Sequence, residues 1–169
     1  MEFGMFFLLQ YPEEKKGDDR VFQEALEQMI AAEELGYDAV WLAEHHFSGH
    51  GICGSPLLLA AAAATRTKRV RVGTAISILP FNHPVRVAER AAVLDILSNG
   101  RMDLGTGRST TLIEMDGFEV NPEETRAQWE EAISIIPRMW TEDPFSHEGR
   151  FYNIPPRSVV PKPVQSPHP

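Results

Sequence analysis

Three short clusters, each where a strand signal ends, hold the side chains that could do chemistry. The first is Glu44-His45-His46-Phe47, a carboxylate beside two imidazoles. An imidazole changes charge near neutral pH, so a histidine here can act as a general base while a carboxylate fixes its tautomer. A hydrogen-bonded structural histidine is the competing reading. His45, His46, His50 and Cys53 lie close together in sequence, but they show neither His-Glu-x-x-His spacing nor a cysteine pair. No metal is therefore expected. The second cluster is Pro80-Phe81-Asn82-His83-Pro84. The third, Gly105-Thr106-Gly107-Arg108-Ser109-Thr110-Thr111, offers backbone amides, hydroxyls and one guanidinium, which suit a phosphate. Its glycine spacing matches neither a Walker loop nor a dinucleotide fingerprint. A glycine-containing strand end with no ligand accounts for it equally well.

The elements that must position these clusters alternate along the chain. Phe3 to Leu9 is a short, nearly continuous apolar run, the pattern of a strand buried on both faces. Arg20 to Leu35 places Phe22, Ala25, Leu26, Met29 and Ala32 at helical spacing, and Gly36 reads as its C-cap. Ala39 to Ala43 is a second strand, and Ser55-Pro56 opens a second helix with serine as N-cap. Val70 to Leu79 is a third strand, Pro84 to Leu97 a third helix ended by Asn99-Gly100, and Arg101 to Thr106 a fourth strand. Asn121-Pro122-Glu123-Glu124 predicts the start of a fourth helix that runs toward Trp140, with Pro137 kinking its last turn.

Four strand–helix units in strict alternation imply a parallel sheet covered by helices. An open doubly wound sheet and half of an eight-stranded barrel both fit, because a complete barrel needs roughly 250 residues. In either, ligands sit at the carboxyl ends of the strands, where all three clusters lie. Six of the 13 prolines fall in residues 155–169, which read either as a disordered tail or as a connection toward a fifth strand.

The composition excludes several functions. With 24 Asp+Glu against 16 Lys+Arg and a net charge of -8, the chain carries no basic footprint for nucleic acid. Pro56 to Ala64 is the longest apolar run, too short to span a bilayer. One cysteine cannot build a disulfide framework, and no signal peptide is evident, so a cytoplasmic chain is expected.

Taken together, these segments resemble the bacterial luciferase-like, flavin-dependent monooxygenases. The resemblance rests on the stretches 41–47 (WLAEHHF), 72–80 (VGTAISILP), 83–90 (HPVRVAER) and 94–108 (LDILSNGRMDLGTGR), with 151–154 and 161–169 resembling the approach to strand five. It implies a single domain over 1–169: the first four strand–helix units of a TIM-type barrel, truncated before strand five. It implies a monooxygenase that uses reduced FMN and O2 to oxidise an aldehyde or another small organic substrate, with a flavin reductase supplying the FMN. A deazaflavin-dependent oxidoreductase of the same fold, or a non-catalytic flavin-binding protein, are the alternatives. By the same resemblance His45 is the catalytic histidine, supported by Glu44 and His46, and Arg108 reaches the flavin phosphate. Thr74, Ala75 and Ile76 back the flavin ring, with a cis peptide between Ala75 and Ile76. Gly107 is by the same resemblance a cofactor-binding position beside Arg108; it stands where luciferase has a reactive cysteine, so no thiol acts there. Finally, the second helix from Ser55 to Thr65 has no polar face, so its outward side needs a second cover. Family members pair through this helix and the third, which implies a homodimer with Glu89 near the partner's His83.

Overall fold

The computed structural model describes residues 1–11 and 16–169. Strands β1 (Gly4–Phe7), β2 (Ala39–Leu42), β3 (Arg71–Ile78) and β4 (Met102–Gly107) form one sheet in the order β1-β2-β3-β4, every neighbouring pair parallel. Helices α1 (Asp18–Glu34), α2 (Pro56–Arg66) and α3 (Pro84–Leu97) make the crossovers, and a 3-10 turn, Leu79–Phe81, joins β3 to α3. The strand order never reverses, as a doubly wound sheet requires, so the α/β architecture is the first half of a (β/α) barrel. After β4 come α4 (Leu112–Gly117) and α5 (Thr125–Thr141). A separate antiparallel hairpin follows, β5 (Phe145–Glu148) with β6 (Asn153–Arg157), which the residue pattern does not announce. Among the described residues no helix is long and apolar enough to cross a membrane.

The core lies between the convex face of the sheet and the helices. Met29, Val40, Leu42, Val72, Leu94, Met102, Ile135 and Met139 are fully buried there. Each such aliphatic side chain contributes about 1.5–3 kcal/mol on leaving water. The other face is less covered. Strand β1 spans four residues rather than the expected seven, and Phe6 on it is 56% exposed, because β1 is an edge strand whose inner side stands open.

Helix ends agree only partly with expectation. Gly36 has φ +91° and the Tyr37 amide donates to the Ala32 carbonyl (3.0 Å), a glycine C-terminal stop as read from the sequence. Ser55 does not cap α2 through its hydroxyl; its main-chain carbonyl instead accepts from the Leu58 and Leu59 amides. Asn121 does not start α5. Its side chain accepts from the Glu123 amide (3.1 Å), closing a local turn, and the helix begins four residues later at Thr125. The helix then continues through Pro137 to Thr141.

Polar anchors close the end of the sheet opposite the clusters. Arg101 donates to the carbonyl of Ala64 in the last turn of the second helix and of Thr67 just beyond it, to that of Ser98 beyond the third, and to that of Val70. It thus satisfies the carbonyls that helix ends leave free. Asp95, fully buried, accepts from the Val164 and Gln165 amides and from the Gln165 side chain. Arg71 pairs with Asp103 across β3 and β4 and also donates to Gln165 (3.1 Å). The proline-rich segment therefore docks against α3 and β4 instead of trailing as a free tail.

Candidate active site

The site begins with an irregularity in β3. Its pairing with β4 slips between Thr74 and Ser77, and the Ala75–Ile76 peptide is cis, as the resemblance implies. Gly105 makes the slip possible, since a Cβ there would lie 2.1 Å from the Thr74 carbonyl oxygen. The Thr74 hydroxyl donates to the Gly105 carbonyl (2.7 Å) and the residue is buried, so its side chain fixes the strand. Ile76 lays its side chain beside Gly107. Ala75 and Ile76 form one wall of a cavity of about 280 Å3 whose rim carries His45, Arg108, Ser109, Thr110 and Glu114.

His45 lies at the carboxyl end of β2, and its carboxylate partner is not the neighbouring Glu44. Glu114, on α4, accepts from His45 Nδ1 at 2.9 Å and from the His46 amide at 3.0 Å, while its other oxygen accepts from the Ser109 hydroxyl at 2.8 Å. Burial by itself drives the Glu114 pKa up, but the hydrogen bonds from His45, the His46 amide and Ser109 outweigh it and hold the carboxyl below its ordinary value. Glu114 is therefore ionised at neutral pH and can only accept, so His45 Nδ1 carries a proton.

Glu44 serves a different pair. It is buried, accepts from the Ile78 amide (2.9 Å), and takes a hydrogen bond from His46 Nε2 (3.2 Å). Asn82, from the second cluster, adds a longer bond to it at 3.4 Å. Among the described residues neither Glu44 nor His46 makes a side-chain hydrogen bond to the His45 ring; they tie the end of β2 to β3. The His46 ring meets Phe118 edge-on at 4.7 Å, and Phe81 stacks on the same Phe118 at 4.7 Å. His83 accepts from the Val85 amide at the start of α3. So the first and third clusters meet at the cavity, and the second stands behind them.

Arg108 is exposed, donates to the Thr125 hydroxyl (3.3 Å), and makes no ion pair among the described residues. Beside it Ser109 adopts φ +62° and its oxygen accepts from the Thr111 amide (3.1 Å). The arrangement offers a guanidinium with no carboxylate partner among the described residues, together with hydroxyls, at one part of the rim and a carboxylate-held imidazole at another. Among the described residues no three of His, Cys, Asp and Glu gather as a metal ion would need. Sequence reasoning missed Glu114, for the reason that α4 is a single short stretch with no period to read.

Known proteins share this sequence pattern and fold. The oxygenase component of a flavin-dependent trigonelline monooxygenase from Acinetobacter baylyi is 32% identical over 171 residues, covering 100% of this chain and 47% of the relative. The crystal structure of the monooxygenase RslO1 from Streptomyces bottropensis superposes with a TM-score of 0.96 at 35% identity, over 100% of this chain and 52% of that one. The FMN-bound oxygenating constituent of 3,6-diketocamphane monooxygenase from Pseudomonas putida gives 0.84 at 25% identity, over 90% and 42%. The chain spans about half the length of the relatives it matches. The model of the luciferase-like monooxygenase family matches residues 1–169, and the chain belongs to that family.

Proposed function

We propose that this chain supplies the histidine and phosphate-binding side of an FMN-dependent monooxygenase site, which oxidises an aldehyde or another small organic substrate with O2. The observation that carries the reading is one cavity bordered by both the Glu114-held imidazole of His45 and the guanidinium of Arg108, which has no carboxylate partner among the described residues. The residues fit a phosphate-bearing planar cofactor. An exposed arginine beside hydroxyls complements a phosphate dianion, and the wall at Ala75 and Ile76 leaves room for a flat ring against the main chain. Bound in reduced form, FMN would supply the electrons that activate O2. Arg108 binds and orients the phosphate, and His45 holds or moves a proton at Nε2, the ring nitrogen that Glu114 leaves free. A separate reductase would deliver the reduced flavin, in keeping with the relative named as an oxygenase component.

A second copy of the chain is proposed to cover α2 and α3. Between these helices runs a cavity of about 320 Å3 lined by Leu57, Leu58, Ala61, Glu89 and Val93. Leu58 there is 72% exposed.

Two substitutions in the complete protein test the reading. Arg108→Ala should weaken FMN binding and leave riboflavin binding nearly unchanged, measured by flavin fluorescence. His45→Ala should lower oxygenation on the order of 100-fold while FMN binding persists. Equal losses for both flavins, or preference for a deazaflavin over FMN, would overturn the cofactor assignment. Parental turnover in His45→Ala would overturn the catalytic one.

A further inference from the structure

Glu114 stands where three segments meet: the end of β2, the loop after β4, and α4. Its side chain is 1% exposed, and both oxygens are engaged by donors from this chain. The His46 amide is an obligatory donor, so the oxygen facing it must accept. The same oxygen faces His45 Nδ1, which fixes the proton on that nitrogen. Nε2 of His45 has no hydrogen-bond partner among the described residues, and His45 borders the cavity. The second oxygen takes the Ser109 hydroxyl, whose oxygen in turn accepts from the Thr111 amide.

We propose that Glu114 is a positioning residue that holds neutral His45 in the Nδ1–H tautomer, with Nε2 unprotonated toward the cavity, and ties that tautomer through Ser109 to the loop bearing Arg108. The tautomer follows from the hydrogen bonds alone; its catalytic meaning rests on the function proposed above. A glutamine at this position keeps the arrangement without the charge. The His46 amide turns the amide oxygen toward itself and His45, and the side-chain NH2 then donates to Ser109. An alanine removes the acceptor, and the imidazole is released to its tautomer preference in water.

The test is nitrogen NMR of 15N-histidine-labelled complete protein without flavin, with the His45 signals identified by their loss in His45→Gln. Neutral His45 is expected to show the Nδ1–H pattern in the parent and in Glu114→Gln. In Glu114→Ala it should shift toward Nε2–H. Steady-state kinetics should show kcat lowered on the order of 100-fold in Glu114→Ala, with most of the loss recovered in Glu114→Gln and FMN affinity kept in both. An Nε2–H pattern in the parent or in Glu114→Gln overturns the proposal, as does an unchanged Nδ1–H pattern in folded Glu114→Ala. Should Glu114→Ala fail to fold, the parent and Glu114→Gln spectra still decide. The expected tautomers together with full turnover in His45→Ala would uphold the positioning and remove the catalytic reading instead.

Discussion

At the scale of single residues, the orientation of His45 depends on what is absent opposite its ring. A Cβ on residue 51 would lie 2.6 Å from the His45 Cβ and 2.7 Å from its Cδ2, inside van der Waals contact. The loop cannot simply retreat, because the His45 amide donates to the Cys53 carbonyl (3.1 Å) and the Ile52 amide to the Leu9 carbonyl (2.8 Å). Gly51→Ala should therefore rotate or push the imidazole off Glu114. A displacement near 1 Å can cost about 100-fold in turnover, so a loss between about tenfold and 100-fold is expected. Circular dichroism should show the fold retained, and turnover at the parental rate would mean that the ring has slack. The clusters that hold His45 and Arg108 were legible in the sequence because each stands where a strand signal ends, while the role of each residue came only from the family resemblance. Glu114 was not, because α4 inverts the usual pattern: Leu112 and Ile113 are exposed while the acid faces inward.

At the scale of elements, three carboxylates bind loops distant in sequence by accepting their backbone amides. Glu33 on α1 takes the amides of Lys68, Arg69 and Val70 ahead of β3. Glu131 on α5 takes those of Arg150, Phe151 and Tyr152, and also His147. For each of these, as for Glu114, burial acts upward but the donated hydrogen bonds prevail, and the pKa is lowered from 4.5. A carboxyl with a depressed folded pKa contributes stability that is fully present above its unfolded value. That contribution is lost as pH falls through the folded pKa. The urea midpoint should thus hold steady down to about pH 5 and then fall progressively toward pH 3. A Glu33→Gln, Glu131→Gln double variant should flatten that fall, and an unchanged acid slope would show that the anchors carry no linkage. The strands and long helices of the sheet were readable from periodicity and glycine stops. Strands β5 and β6 were hidden, since Ser146, His147 and Glu148 are polar and Pro155 and Pro156 ordinarily argue against a strand.

For the whole molecule, helices α2 and α3 are the surface that the sequence pattern singled out, and an apolar groove runs between them. Sedimentation of the complete protein should give a dimer at micromolar concentration. Ala61→Glu places a charge in that groove and should yield a folded monomer; a dimer unaffected by it would locate the contact elsewhere. The hydrogen bonds of Glu114 also set the joints at which this protein can be cut and recombined. An engineer seeking a new substrate would exchange the loop after β4 with that of a relative, treating it as a passive lining. Residues 109–114 carry the acceptor for a histidine 69 positions earlier in the chain. Such a graft succeeds only when the donor loop brings its own acidic residue at the same reach, or when the segment 44–53 is transplanted with it as one piece.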